Sequence, residues 1–223
     1  MYQELVLNND PKSIISETIR TLRTNLQFAS VDKKIKTILI TSSVPGEGKS
    51  FIAANLACAF AQSGSRVLLV DCDIRKGRQH YIFNSHNKSG LSNLLLENVK
   101  EKYMDYIQET RIKNLSVMFR GVTPPNPSEL LGSSKNKELI EILRNEYDIV
   151  IFDSAPINGG LTDSIIMSTL VDGVVIVSSC KETPISLLNN TKKSLQNVNV
   201  NILGVVLNRA SSKSKKYYGH YYG

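Results

Sequence analysis

Five runs dominated by Ile, Val and Leu punctuate the chain, at 37–41, 67–70, 148–152, 173–177 and 202–207. None alternates apolar with polar residues, so each predicts a strand buried on both faces, which means a parallel sheet covered by helices. Between the runs the pattern turns helical. Segment 51–62 is Ala-rich and stops at Ser63 and Gly64, a helix with a glycine at its C-terminal end. Ser128, with Pro127 before it, opens a second helix that Gly132 keeps short or broken, and 135–145 and 183–198 supply two more. Segment 121–127 has prolines at 124, 125 and 127 and is predicted to be a loop. Strand alternating with helix predicts an α/β domain of three layers, with a mostly parallel central sheet flanked by helices.

Upstream of the first strand, 13–28 carries Ile14, Ile15, Ile19, Leu22, Leu26 and Phe28 close to helical spacing, with Glu17, Arg20, Thr24 and Gln27 as a polar stripe. This amphipathic helix either packs on the domain or docks a neighbouring subunit. The expected organisation is an N-terminal arm over 1–36, a nucleotide-binding domain over 37–208 and a tail over 209–223.

Composition narrows the class. At roughly 150 residues per domain, 223 residues suggest one large globular unit. Cys58, Cys72 and Cys180 are odd in number, far apart and without a C-x-x-C pair, which argues against a disulfide framework or a zinc site and fits a reducing compartment. His80, His86 and His220 show no metal spacing. No signal-like start and no apolar run near the roughly 18 residues of a membrane span are present, so the expected location is cytoplasmic. The formal charge is +7, and Arg209, Lys213, Lys215 and Lys216 place four of those charges in the tail, beside Tyr217, Tyr218, Tyr221 and Tyr222. A basic tail suggests nucleic acid, an acidic membrane surface or plain solubility, but the tyrosine cluster fits none of these.

The chemistry lies at the ends of three strands. Segment 38–50 reads I-L-I-T-S-S-V-P-G-E-G-K-S, a strand running through a glycine loop into a helix. Gly46 and Gly48 let backbone N–H groups converge on phosphates, Lys49 reaches the β- and γ-phosphates, and the Ser50 hydroxyl binds Mg²⁺, with Glu47 and Phe51 completing the nucleotide-binding segment. Ser43 stands where the strict pattern has its first glycine. Asp71 and Asp73 end the second strand, 22 and 24 residues after Lys49, and either hold hydrated Mg²⁺ and accept a proton from an incoming hydroxyl or cap the next helix. Asp153 ends the 148–152 strand, the usual place for the carboxylate that supports Mg²⁺ behind a P-loop. Cys72, between the two aspartates, is expected to point into the domain. A guanine-specific protein would carry Asn-Lys-x-Asp after a late strand; here the residues are Asn208, Arg209, Ala210 and Ser211, so ATP is favoured.

Together these motifs resemble one family, the bacterial protein-tyrosine kinases of capsule and exopolysaccharide synthesis. The carriers are S-S-V-P-G-E-G-K-S at 42–50, L-L-V-D-C-D-I-R-K at 68–76, P-P-N-P-S-E-L-L at 124–131, I-V-I-F-D-S-A-P at 149–156, G-V-V-L-N-R at 204–209 and the tyrosine tail. The likeness runs from about residue 11 to the end, and is greatest to the split form, whose cytoplasmic kinase is completed by the cytoplasmic tail of a membrane activator. It implies ATP and Mg²⁺ as cofactors, Lys49 on phosphate, Ser50, Asp73 and Asp153 about the metal, Asp71 as base for the tyrosine hydroxyl, Arg75 on phosphate or substrate, and Asn208 on adenine. Glu17, Arg20 and Arg23 repeat the family's E-x-x-R-x-x-R, which implies a ring-shaped homo-oligomer, typically an octamer; without the resemblance they read as an ion-paired helix face. The tail tyrosines match the family's autophosphorylation cluster, phosphorylated between subunits. Also implied are recruitment to the inner membrane face through the activator and protein substrates in polysaccharide synthesis, with no nucleic-acid partner. Two residues depart from the family: Gly77 replaces the usual Pro after Lys76, and Ser154 the common Thr.

The strongest rival keeps the fold and changes its use, to a positioning or partitioning ATPase acting as a switch. Such proteins carry a second lysine early in the P-loop, where this chain has Val44, and lack a terminal tyrosine cluster. A nucleotide-gated scaffold is the non-enzymatic alternative.

Overall fold

The computed structural model describes residues 4–29, 35–158, 162–180 and 182–210, so the four tail tyrosines lie outside the described residues. All five predicted strands form. With two shorter ones, they are β1 (Thr37–Ser42), β2 (Val67–Asp71), β3 (Gln108–Glu109), β4 (Leu115–Met118), β5 (Ile149–Asp153), β6 (Gly173–Ser179) and β7 (Ile202–Asn208). They make one sheet in the order β3-β4-β2-β5-β1-β6-β7, parallel throughout except for the antiparallel β3–β4 edge.

Ten α-helices are described: α1 (Val6–Asn9), α2 (Ile14–Phe28), α3 (Lys49–Gln62), α4 (Gln79–Ile82), α5 (Leu91–Leu94), α6 (Val99–Lys102), α7 (Pro127–Gly132), α8 (Ser134–Glu146), α9 (Asp163–Ser168) and α10 (Ile185–Gln196). The unbroken apolar runs are explained by what covers each face. Along β1, Ile38 and Ile40 join the core shared with α1–α4, while Leu39 joins the core shared with α5–α10. Val67 and Leu69 of β2 face the first core, and Leu68 and Val70 the second. Successive side chains point to opposite faces, and both faces are dry, so these positions are apolar without alternation.

The central helix α3 is buried on nearly all sides, from Ser50 through Ala61 except Phe51, which is half-buried. Its alanines let the sheet approach from one side and α2 from the other. α2 starts at Ser13, whose hydroxyl accepts from the Ser16 N–H at 3.2 Å, and it buries Ile19 and Leu26 while Ile14, Ile15 and Phe28 stay exposed. The predicted stripe therefore divides between the domain and the outside. Leu5 and Leu7 are also buried, so the described part of the arm is welded to the domain.

Helix ends depart from the predicted ones for local reasons. α3 begins at Lys49, two residues before the predicted start, because Gly48 takes a left-handed φ of 93° at its N-cap. Pro127 is the first residue of α7 and not the last of the loop, since a missing N–H is harmless there. α10 begins after Pro184, its N-cap, two residues later than predicted.

Candidate active site

In parallel strands β1, β2 and β5 the C-terminal ends lie side by side, and the register sets Asp71 directly beside Asp153 and Ile40 on the other side of Asp153. The glycine loop after β1 therefore starts from the strand next to Asp153, with Asp71 one strand further. This is the edge of an open α/β sheet where ligands bind. A cavity of about 630 Å³ opens there, lined by Gly46, Gly48, Lys49, Ser50, Phe51, Asp73, Arg75 and Asn208 among others.

The loop conformation is enforced. Gly46 and Gly48 both have positive φ, 86° and 93°. A Cβ on Gly48 would lie 2.1 Å from Asn208 Nδ2, so glycine is required there by backbone and neighbour alike. With no side-chain cap, the first N–H groups of α3 are left to a ligand. Ser43 needs no glycine: its φ is not positive, and its hydroxyl accepts from Thr191 Oγ1 of α10 at 2.8 Å. Glu47 does not line the cavity. Its carboxylate is buried and accepts from the N–H groups of Val44 and Ser179, at 2.8 and 3.1 Å, and from the Thr183 hydroxyl, tying the loop to the end of β6. Asn208 lines the cavity, but its amide donates to the Glu47 carbonyl at 2.9 Å and its Oδ1 accepts from the Arg209 N–H. Both its polar ends are thus engaged within the chain, and its first duty is to brace the P-loop.

Lys49 is the electrostatic centre. Its Nζ lies 3.1 Å from Asp73 Oδ2, 3.7 Å from Asp153 Oδ1 and 3.4 Å from Ser50 Oγ. Burial alone would lower its pKa, but the charges of Asp153 and Asp73 overcome this and hold it above the ordinary lysine value. The two buried carboxylates shift in the opposite sense to a typical ion-paired acid. Burial raises Asp71 well above the usual range and the neighbouring Asp153 charge adds to it; burial also raises Asp153, against the pull of Lys49, Ser50 and Gln79. Asp73 is placed by the Lys76 N–H, which donates to Oδ1 at 2.9 Å.

Asp71 is less accessible than the sequence implies. It is fully buried beneath the turn at Gly77, where a Cβ would come within 2.1 Å of Oδ1. Gly77 is what permits this close cover, which gives its departure from the family's proline a physical content. Arg75 reaches the cavity, yet its Nε donates to Asp163 Oδ2 at 2.7 Å, and Ser128 of the 124–131 segment also donates to Asp163. Cys72 points inward as expected, its thiol donating to the Asp153 carbonyl at 3.1 Å. The helix triplet lies apart from the cavity. Arg20 pairs with Glu17 at 3.0 Å, while Arg23 turns to the Ala59 carbonyl of α3 at 3.4 Å.

Sequence reasoning missed Asp163 and Gln79. Neither belongs to a motif, and only the folded chain carries Asp163 to Arg75 and the fully buried Gln79 to Asp153.

The residues fit a hydrated divalent cation. Asp153 Oδ1 is a buried acceptor without a hydrogen-bond partner, 3.7 Å from the Lys49 nitrogen that also lies 3.4 Å from the Ser50 hydroxyl and 3.1 Å from Asp73. Among the described residues no group of three or more His, Cys, Asp or Glu could cage a metal, so the arrangement suits an ion that keeps waters and phosphate oxygens.

A glycine loop between a central parallel strand and a helix N-terminus, with carboxylates on the neighbouring strand ends, defines a P-loop nucleotide-binding domain, and residues 35–203 match the AAA-domain family. The particular family follows from nearer relatives. The chain is 41% identical over 98% of its length to 95% of CapB of Staphylococcus aureus, named a putative tyrosine-protein kinase, and 41% identical over 99% of its length to 92% of the tyrosine-protein kinase YwqD of Bacillus subtilis. The crystal structure of the chimerical protein CapA2B2 superposes with a TM-score of 0.88 at 42% identity, covering 94% of this chain and 91% of that one. The chain belongs to the bacterial tyrosine-protein kinases of capsule and exopolysaccharide synthesis, in the form that aligns with CapB and YwqD over nearly their whole length.

Proposed function

We propose that this kinase transfers the γ-phosphoryl group of ATP to tyrosines of its own tail, Tyr217, Tyr218, Tyr221 and Tyr222, between subunits of a ring. The observation that carries the reading is that Lys49 and Asp73 line one P-loop cavity, with Asp153 3.7 Å from Lys49 and Asp71 in register beside Asp153 beneath it, in a chain with tyrosines at 217, 218, 221 and 222. Lys49 and the α3 N-terminus bind the phosphates, and Ser50, with Asp73 and Asp153, would hold Mg²⁺, which when bound neutralises phosphate charge. The tyrosine oxygen forms the new P–O bond, the bond between the γ-phosphorus and the β–γ bridging oxygen breaks, ADP leaves, and the phenolic proton passes to Asp71. That last transfer requires the turn at Gly77 to lift, because Asp71 is covered.

The regulatory setting follows the same reading. A membrane activator contributes a cytoplasmic tail to the ATP site and recruits the kinase to the inner face of the membrane; the likeness to the chimerical protein CapA2B2 supports such a pairing. No helix of the described residues is long and apolar enough to cross a membrane. The ring, an octamer, uses Glu17, Arg20 and Arg23, and other proteins of polysaccharide synthesis serve as further substrates. Each phosphate adds about −1.5 to −2 charges, so roughly three reverse the sign of the basic tail and weaken subunit packing.

Mass spectrometry of the C-terminal peptide after incubation with ATP and Mg²⁺, with and without an activator tail, tests the assignment. The wild-type chain should gain phosphate on the tail, and Lys49→Met should gain none. Equal labelling of a variant with all four tyrosines changed to Phe would remove the tail as substrate.

A further inference from the structure

Gln79 opens α4 four residues beyond Arg75 and is fully buried. Its side-chain nitrogen donates to Asp153 Oδ2 at 2.8 Å and to the Ser50 carbonyl at 3.1 Å, and its backbone N–H donates to Asp71 Oδ2 at 3.1 Å. One residue outside every motif therefore touches the P-loop helix and the ends of both β2 and β5. Both side-chain partners only accept, so the amide must present nitrogen to them, and its Oε1 is left buried without a partner. The unmet oxygen is unfavourable, so what favours glutamine here is the pair of donations its nitrogen makes, which a Leu or Met could not supply.

What the amide achieves is orientation. With Oδ2 of Asp153 held by Gln79, Oδ1 is the oxygen turned toward Lys49, 3.7 Å away. The second donation fixes the peptide of Ser50, whose hydroxyl lies 3.4 Å from the same Lys49. We propose that Gln79 is a positioning residue that sets the Asp153 carboxylate and Ser50 in the relative orientation a divalent cation needs. The proposal rests on the magnesium-dependent reading given above, and its test separates the two.

The measurement is ADP affinity of the full chain by titration calorimetry, in Mg²⁺ and in EDTA. In wild type Mg²⁺ should tighten ADP binding. In Gln79→Met that tightening should shrink by about tenfold, the worth of one hydrogen bond to a charged group, while affinity in EDTA stays within about twofold of wild type. Gln79→Asn, which draws the amide back by one methylene, should behave the same way and decides the matter if the Met variant does not fold. Variants that keep the full Mg²⁺ gain overturn the proposal, as does an equal loss with and without Mg²⁺, which would make Gln79 merely structural. A wild-type chain showing no Mg²⁺ gain overturns instead the magnesium reading on which the proposal stands.

Discussion

Asp71 occupies a position hostile to a charged carboxylate: fully buried, in register beside Asp153, with one backbone N–H for company and Oδ1 unpartnered. Its raised pKa records that strain, first from burial and then from Asp153. The folded chain thus holds the Asp71 proton to higher pH than the unfolded chain, whose aspartates titrate near 3.9, so this group's contribution to stability improves as pH falls through its folded pKa and is levelled below about pH 4. Asp71→Asn should therefore abolish tail phosphorylation yet stabilise the fold at neutral pH by about 0.5–2 kcal/mol, a trade of stability for activity common at working sites. Urea denaturation at pH 7 and pH 4 checks this; a variant less stable than wild type at pH 7, or a gain that persists at pH 4, contradicts it. Lys49 follows pH with the same sign, but here the charged form is the one the fold favours. Because its pKa is raised in the fold, its stabilising share is complete below the unfolded lysine value of about 10.4 and disappears only as pH climbs through the folded value. Lys49→Met leaves Asp73 and Asp153 facing each other without their cation, and should lower stability at pH 7 by about 3–5 kcal/mol, measured by the same denaturation.

Two segments give the site its shape. The P-loop is held from outside by Glu47 to the end of β6 and by Asn208 at the end of β7, so the strands beyond β1 act as a brace for the phosphate cradle. Gly48→Ala meets both a left-handed backbone and Asn208 Nδ2, and ADP binding should fall below detection while the far-ultraviolet circular dichroism stays that of wild type. The turn from Ile74 to Arg78 is the second segment. It is fastened by the Lys76 N–H on Asp73, by the Gly77 N–H on the Asp73 carbonyl, and by an ion pair between Arg78 and Glu4 of the N-terminal arm. Gly77→Ala drives a methyl against the Asp71 carboxylate and should lift this turn: backbone amides of 74–79 should exchange faster, and stability should fall by about 1–3 kcal/mol, the usual scale for overpacking. Unchanged exchange in that segment would show that Asp71 gives way instead of the turn.

At the scale of the whole molecule, α2 presents two different faces. Ile19 and Leu26 are committed to the domain, while Ile14, Ile15 and Phe28 remain exposed on the same helix as Glu17. The proposed ring uses Glu17, Arg20 and Arg23 of this helix, and a variant carrying Glu17→Ala, Arg20→Ala and Arg23→Ala should sediment as a smaller species than wild type with its fold intact; an unchanged sedimentation coefficient would place the ring contact elsewhere. Much of this architecture is legible in the chain. A run such as Val67 to Val70 has one interpretation when both sheet faces are dry, and a strand, a glycine loop and a helix in that order specify the phosphate cradle locally. The short strands β3 and β4 at one end of the sheet are not legible: β4 is four residues with a half-exposed Ser116 in it, and its strand form depends on pairing with β2. The layers of the fold, the P-loop and the identity of the strand-end aspartates are settled along the chain, because hydrophobic period and loop glycines act between neighbours in sequence. Folding alone decides that Asp71 is covered by Gly77, that Glu47 and Asn208 brace the loop, that Asp163 takes Arg75, and that Gln79 joins the motifs. Those contacts join residues far apart in the chain, or turn on the path of the turn after β2, and a single polar side chain carries no mark of the partner that folding will bring to it.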